Sequence, residues 1–248
     1  MLQEDQTDTE DRQNALSMES VVKTFGKVRA VDGVDIHIKD GERVALLGEN
    51  GAGKSTTIRI ISGLMRPDSG MVRIYGFRPS SVDAKRYIGY LPEDASPYLN
   101  LSIRENLDYI GTIRKTENLQ EKIEFFLDLL GLKSVEKQKP LTLSRGNRQK
   151  LCLALSIIHG PRFAIMDEPL NYLDIPTQEK VFQYFEKMNA TFLISTHILS
   201  IAKRLTEKII ILSSGKKVWE GKIAELEELK GESKSIETTV SELMRNVP

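Results

Sequence analysis

The chain has 248 residues, 40% of them hydrophobic, and sets 35 basic against 35 acidic side chains with a single cysteine. That length makes one large domain or two small ones, and one cysteine excludes both a disulfide-stapled scaffold and a cysteine-rich metal site, so a cytosolic setting is the default. Zero formal charge argues against a mainly electrostatic hold on nucleic acid, no run approaches the ~18 apolar residues of a membrane-crossing helix, and the first residues lack the basic-then-apolar order of a signal peptide.

Residues 1–16 carry Glu4, Asp5, Asp8, Glu10 and Asp11 and few large apolar groups, which predicts a disordered acidic tail, with folding beginning near Met18. Val34 to Lys39 alternate apolar and polar, Asp40-Gly41 turns the chain, and Arg43 to Leu47 return it, which predicts a hairpin. A glycine-rich loop follows, then a helical stretch from Lys54 to Leu64 that stops before Pro67. Met71 to Tyr75, Phe163 to Met166, Thr191 to Ser195 and Ile209 to Leu212 read as strands, and Leu119 to Leu130 and Arg148 to Ile158 as amphipathic helices. Alternation of this kind spells an α/β fold around a mostly parallel sheet. Ile223 to Leu229, and Ile236, Val240, Leu243 and Met244, have helical spacing and predict a pair of helices closing the domain surface, the last a short C-terminal helix within 231–248; the alternative is a partner-binding or dimerising tail.

Gly48-Glu49-Asn50-Gly51-Ala52-Gly53-Lys54-Ser55-Thr56 matches G-x-x-x-x-G-K-[ST] between a strand and a helix. Glycines let successive backbone N–H groups turn toward phosphate oxygens, and the helix start adds the positive end of its dipole. Lys54 is expected to reach the β and γ phosphates, Ser55 to offer its hydroxyl to Mg²⁺, and Thr56 to bond an α-phosphate. Asp167-Glu168-Pro169 ends a strand pattern where α/β sheets hold their nucleotides. Asp167 is the expected Mg²⁺ partner and Glu168 the residue that takes a proton from the attacking water or orients it.

Leu143-Ser144-Arg145-Gly146-Asn147-Arg148-Gln149-Lys150 opens a helix and resembles the LSGGQ signature of ATP-binding-cassette (ABC) proteins. Over residues 18 to about 230 the resemblance adds Phe25 at the adenine-stacking position, Gly89-Tyr90-Leu91-Pro92-Glu93 at the Q-loop, Leu173-Asp174 in the D-loop and Ser195-Thr196-His197 at the switch histidine. It implies a P-loop NTPase (RecA-like) core with an N-terminal antiparallel β subdomain and an inserted helical subdomain at about 95–160, together a domain over 17–230. His197 is then expected on the γ-phosphate as part of the catalytic set with Glu168 and Lys54. His37 and His159 read as structural.

The resemblance also implies two chains closing head-to-tail around two Mg-ATP, with Ser144, Arg145, Gly146 and Asn147 meeting the nucleotide in trans. Arg145 and Asn147 depart from the family's Gly and Gln: one adds positive charge, the other shortens a side chain. Glu93 stands where Gln is usual and joins Ser55 and Asp167 around the metal. Glu at this place, after Gly-Tyr-Leu-Pro, resembles the ABC-2 type exporter branch. The implied partners are a second ABC ATPase subunit, in a homo- or heterodimer, and a separate integral membrane permease, with no nucleic acid. The implied location is cytoplasmic, peripheral on the inner face of the cell membrane. The rival is a soluble ABC ATPase acting on a non-membrane partner. The stretch from Asp94 to Tyr109 is the expected mechanical link to the permease.

Overall fold

The computed structural model describes residues 14–229 and 235–245. The acidic side chains of the expected tail lie outside those residues. Two compact units make up the chain: the first runs to Tyr87 and resumes at Ala190, and the second is Ile88–Asn189. The first unit opens with β1 (Asn14–Phe25), β2 (Val28–Lys39), β3 (Arg43–Leu47), α1 (Lys54–Ile61), β4 (Ser69–Ile74) and α2 (Val82–Tyr87). The second contributes β5 (Ile88–Leu91), α3 (Ile103–Ile113), α4 (Leu119–Leu129), α5 (Arg145–Ile157), β6 (Phe163–Asp167) and α6 (Ile175–Lys187). The first then resumes with β7 (Thr191–Thr196), α7 (Leu199–Leu205), β8 (Lys208–Ser213), β9 (Lys216–Lys222), α8 (Ile223–Leu229) and α9 (Ile236–Arg245).

In the first unit β2, β1 and β4 form an antiparallel sheet with β1 in the middle. Val34, Ile36 and Ile38 of β2 are buried while Asp35, His37 and Lys39 are exposed, as the alternation requires. The expected hairpin does not form: β2 pairs with β1, whereas β3 runs parallel between β7 and β8 in another sheet. The reason lies in the residues. Val44, Ala45, Leu46 and Leu47 are all buried, an unbroken apolar run that suits a strand covered on both faces. A second correction concerns the tail, which was expected to extend to residue 16. Asn14 to Leu16 instead begin β1, because Ala15 and Leu16 have buried positions to fill. Leu226, Ile236 and Val240 pack with Ala45, Leu47, Ile209 and Ile211, and Ser213 Oγ donates to the Met244 carbonyl at 2.6 Å. The last two helices thus cover the sheet.

The second unit pairs β5 and β6 in parallel, with α3, α4, α5 and α6 packed as a helical layer. Ser102 and Glu105 form a capping box at the start of α3, satisfying N–H groups that the first turn leaves open. Arg104 bridges to Glu136 at 2.7 Å and also pairs with Glu124, tying α3 to α4 and the turn after it. Phe126 of α4 meets Tyr184 of α6 edge to face, ring centres 5.4 Å apart.

Candidate active site

The phosphate loop links β3 to α1 in the first unit. Gly51 (φ 83°) and Gly53 (φ 102°) occupy left-handed backbone that a side chain would strain. A Cβ on Gly53 would lie 2.2 Å from the Ala30 carbonyl oxygen of β2, so the loop closes against that strand only with glycine there. Helix α1 starts at Lys54 with no side-chain cap and no acidic residue in its first turn. Its first amides and its dipole are therefore left to an anionic ligand. Lys54 is 8% exposed, and its Nζ donates to the carbonyls of Gly48 (2.7 Å) and Glu49 (3.1 Å). Ser55 and Thr56 follow, both partly exposed.

Two further expected residues join this loop. Thr196 of β7 pairs with Leu47 of β3, so His197 and Gly48 leave adjacent strands side by side. His197 is exposed there. Phe25 ends β1 at the turn into β2 and is 49% exposed, with the Lys23 ammonium 5.7 Å from its ring centre. That turn lies a few residues before Ala30, the neighbour of Gly53.

The remaining expected residues belong to the second unit. Every residue of β6 is buried, and Asp167, at its C-terminal end, is 3% exposed. Glu168 comes next, also buried, with φ 49°, an uncommon conformation for a residue with a side chain. Its carbonyl accepts from Asn171 N at 3.3 Å, closing a tight turn just past the strand. Because Leu91 of β5 pairs with Met166 of β6, Glu93 leaves its strand alongside this turn; it is exposed.

Ser144 caps α5, its Oγ accepting from Asn147 N at 3.2 Å, and α5 likewise has no acidic residue in its first turn. The signature thus occupies the cap and first turn of that helix, which begins three residues before the expected Arg148. Arg145 stacks its guanidinium 3.5 Å over the Tyr172 ring and donates to the Tyr172 hydroxyl at 2.5 Å. A Cβ on Gly146 would come within 2.8 Å of the Tyr172 carbonyl oxygen. Gln149 Nε2 donates to the Pro169 carbonyl (3.2 Å), and Lys150 pairs with Asp174 (2.9 Å). Lys150, then Thr177, hold the Asp174 carboxyl well below the usual carboxylate range, fixing it ionised as the cap of α6. Contacts from Arg145, Gln149 and Lys150 therefore bolt the start of the signature helix to the segment that carries Glu168. Glu93, Arg145, Gln149 and Tyr172 also share a pocket of about 270 Å³. Tyr172 drew no notice in the sequence, where a tyrosine before Leu-Asp carries no signal of its own.

Among the described residues no three His, Cys, Asp or Glu side chains cluster as a metal cage. No helix is long and apolar enough to cross a membrane among the described residues.

The sequence profile of the ABC transporter family matches residues 31–171. YxlF of Bacillus subtilis (strain 168), an ABC transporter ATP-binding protein, is 34% identical over 217 residues, 86% of this chain and 72% of that one. The bacitracin transport ATP-binding protein BcrA of Bacillus licheniformis is 35% identical over 206 residues, 79% of this chain and 66% of that one. A dimeric ATP-binding cassette solved in a post-hydrolysis state with ADP and Pi superposes with a TM-score of 0.76 at 27% identity, covering 84% of this chain and 98% of that one. With a phosphate loop, a strand-end Asp-Glu pair and a capped signature helix in family order, the chain belongs to the ABC transporter family as an ATP-binding subunit that hydrolyses ATP.

Proposed function

We propose that two such subunits close head-to-tail around two Mg-ATP and drive a separately encoded membrane permease, an exporter. One observation carries the head-to-tail reading: the helices that follow the phosphate loop and the signature, starting at Lys54 and just after Ser144, both leave their first turn without an acidic residue, as an anion at each would require. The first grips the chain's own nucleotide through residues 48–56, with Phe25 against adenine. The second, with Ser144, Arg145, Gly146 and Asn147, serves the partner's γ-phosphate.

Ser55, Asp167 and Glu93 would hold Mg²⁺, which neutralises charge on the phosphate oxygens when bound. Glu168 accepts the proton of the attacking water, and His197 contacts the γ-phosphate. The exporter reading rests on Glu93 after Gly89-Tyr90-Leu91-Pro92.

The permease reading draws support from the segment after Glu93. Tyr98 (50% exposed), Leu99 and Tyr109 present apolar surface to solvent, and the two tyrosines meet edge to face at 4.9 Å. Asn106, fully buried, holds this loop rigid: its Oδ1 accepts from Tyr98 N (2.8 Å) and its Nδ2 donates to the carbonyls of Tyr98, Leu101 and Ser102. Behind it lies a recess of about 290 Å³ lined by Tyr90, Pro97, Ile110, Cys152 and His159. A short cytoplasmic helix of the permease fits such a rigid apolar ledge, and dimer closure would then move it.

Cysteine at exposed Ser96 or Asn100, in a Cys152→Ser background, is expected to crosslink to a cytoplasmic loop of the co-expressed permease. The yield should change when ATP is trapped by Glu168→Gln. Absence of any membrane-protein adduct at both sites, with ATPase activity intact, supports the soluble rival instead.

A further inference from the structure

At the end of α1 remote from Lys54, the first unit holds a cleft of about 500 Å³ whose walls include Ile60, Arg66, Met71, Arg73, Arg78 and Ser80. Among the described residues no acidic side chain lines it. Among the described residues the side chains of the three arginines form no ion pair and no hydrogen bond. Arg104, by contrast, is tied to two glutamates. Three such guanidinium groups around an apolar floor are a local excess of positive charge in a chain whose formal charge is zero. The planar fork of arginine matches a carboxylate with two parallel hydrogen bonds, which makes carboxylates a fitting ligand.

The topology brings a source of carboxylates to this cleft. β1 lies beside β4, with Ser17 opposite Arg73, and the Tyr75 amide donates to the Ala15 carbonyl at 3.3 Å. The chain thus enters β1 next to the turn that leads to Arg78. Immediately before that entry the sequence carries Glu4, Asp5, Asp8, Glu10 and Asp11 against one cation, Arg12. Counting back from Asn14 to Glu4, the backbone can span up to ~34 Å. That exceeds the length of β1 between Asn14 and the residue opposite Arg73, which is roughly 10 Å.

We propose that this cleft is an acidic-peptide site and that its occupant is the chain's own segment from Glu4 to Asp11. A bilayer surface is flat and does not fill a recess of this size, whereas carboxylate side chains on a strand of peptide enter it. Tethering helps further. At an effective concentration of ~1 mM, a segment whose free peptide binds with a Kd of ~100 µM fills the cleft about nine-tenths of the time.

The test uses the full chain and a fluorescent synthetic peptide of residues 2–12, followed by anisotropy at low salt. A chain with Glu4→Gln, Asp5→Asn, Asp8→Asn, Glu10→Gln and Asp11→Asn is expected to bind the peptide saturably. The unaltered chain should bind it ~10-fold more weakly, because its own segment competes. Adding Arg66→Gln, Arg73→Gln and Arg78→Gln to the neutralised chain should weaken binding by at least ~10-fold, as should raising the salt to ~1 M, where the Debye length falls to ~3 Å. Arg78→Gln alone, at an exposed turn, gives the same direction if the triple variant folds poorly, and circular dichroism checks both. Equal binding by the unaltered and neutralised chains would assign the cleft to an acidic segment of another protein and overturn the proposal. So would peptide binding indifferent to the arginines, or arginine-dependent binding of pyrophosphate or phosphatidylglycerol vesicles without binding of the peptide.

Discussion

Lys54 holds two carbonyls of its own loop, those of Gly48 and Glu49, and on its proposed role it exchanges them for a phosphate. Lys54→Ala removes both sets of bonds, so ATP binding itself is expected to fall, by ~10-fold or more for the loss of a charge-assisted contact. Glu168 differs, since it lies on a turn and not on the loop. On its proposed role, Glu168→Gln keeps the turn's shape and the nucleotide grip but lowers turnover by ~10²-fold or more. Near-normal turnover at saturating Mg-ATP would remove Glu168 from the reaction. His159 makes the residue scale visible in pH. Its Nε2 lies 3.2 Å from the Ile88 carbonyl, so that nitrogen carries the proton, and burial, helped by Arg114 and Lys122, pushes the pKa down to about 4. An unfolded histidine takes its proton near 6.5. The folded state therefore gains stability from neutral His159 above that value and loses it as pH falls toward 4, by on the order of 3 kcal/mol in all. Thermal melts between pH 7 and 4.5 should show this loss in the native chain and much less of it in His159→Gln.

Elements were legible in the sequence wherever one physical signal decided them. The phosphate loop was, because its glycines answer to backbone geometry that no other residue adopts there, and so was β6, a buried run ending in carboxylates. Residues 34–47 pattern as a hairpin and do not form one, because a turn at Asp40-Gly41 reports only that the chain reverses. Which partner each strand then chooses depends on burial of its second face, and Val44 to Leu47 needed cover on both. Asn106 and Tyr172 were invisible for a related reason: their roles come from what folding brings near them. Tyr172 illustrates the consequence. Its ring under Arg145 joins the signature turn to the Glu168 segment, a cation–π contact worth ~0.5–1 kcal/mol at an exposed site. Tyr172→Ala should lower kcat several-fold while leaving ATP affinity unchanged, and Tyr172→Phe, which keeps the ring, should recover most of it. A fall in ATP affinity instead would show that the pair serves folding and not the alignment of the two segments.

For the whole molecule, the question is whether one chain completes its own site. Residues 48–56 and the signature turn fall in different compact units, and each offers an uncapped or lightly capped helix start to an anion. If closure is head-to-tail, a site consists of one chain's loop and its partner's signature, so defects in the two parts complement when they lie on different chains. Lys54→Ala spoils the loop and leaves the signature; Ser144→Arg does the reverse. In a mixed dimer one site then combines the intact loop with the intact signature, while the other combines both defects. Random association makes about half the dimers mixed, so about a quarter of all sites are whole. In a Glu168→Gln background, mixing the two variants is expected to restore ATP-dependent dimers on gel filtration and retention of labelled ATP near that fraction, where neither variant alone shows either. A site completed within a single chain gives no recovery on mixing, because each chain keeps its own defect whatever it meets.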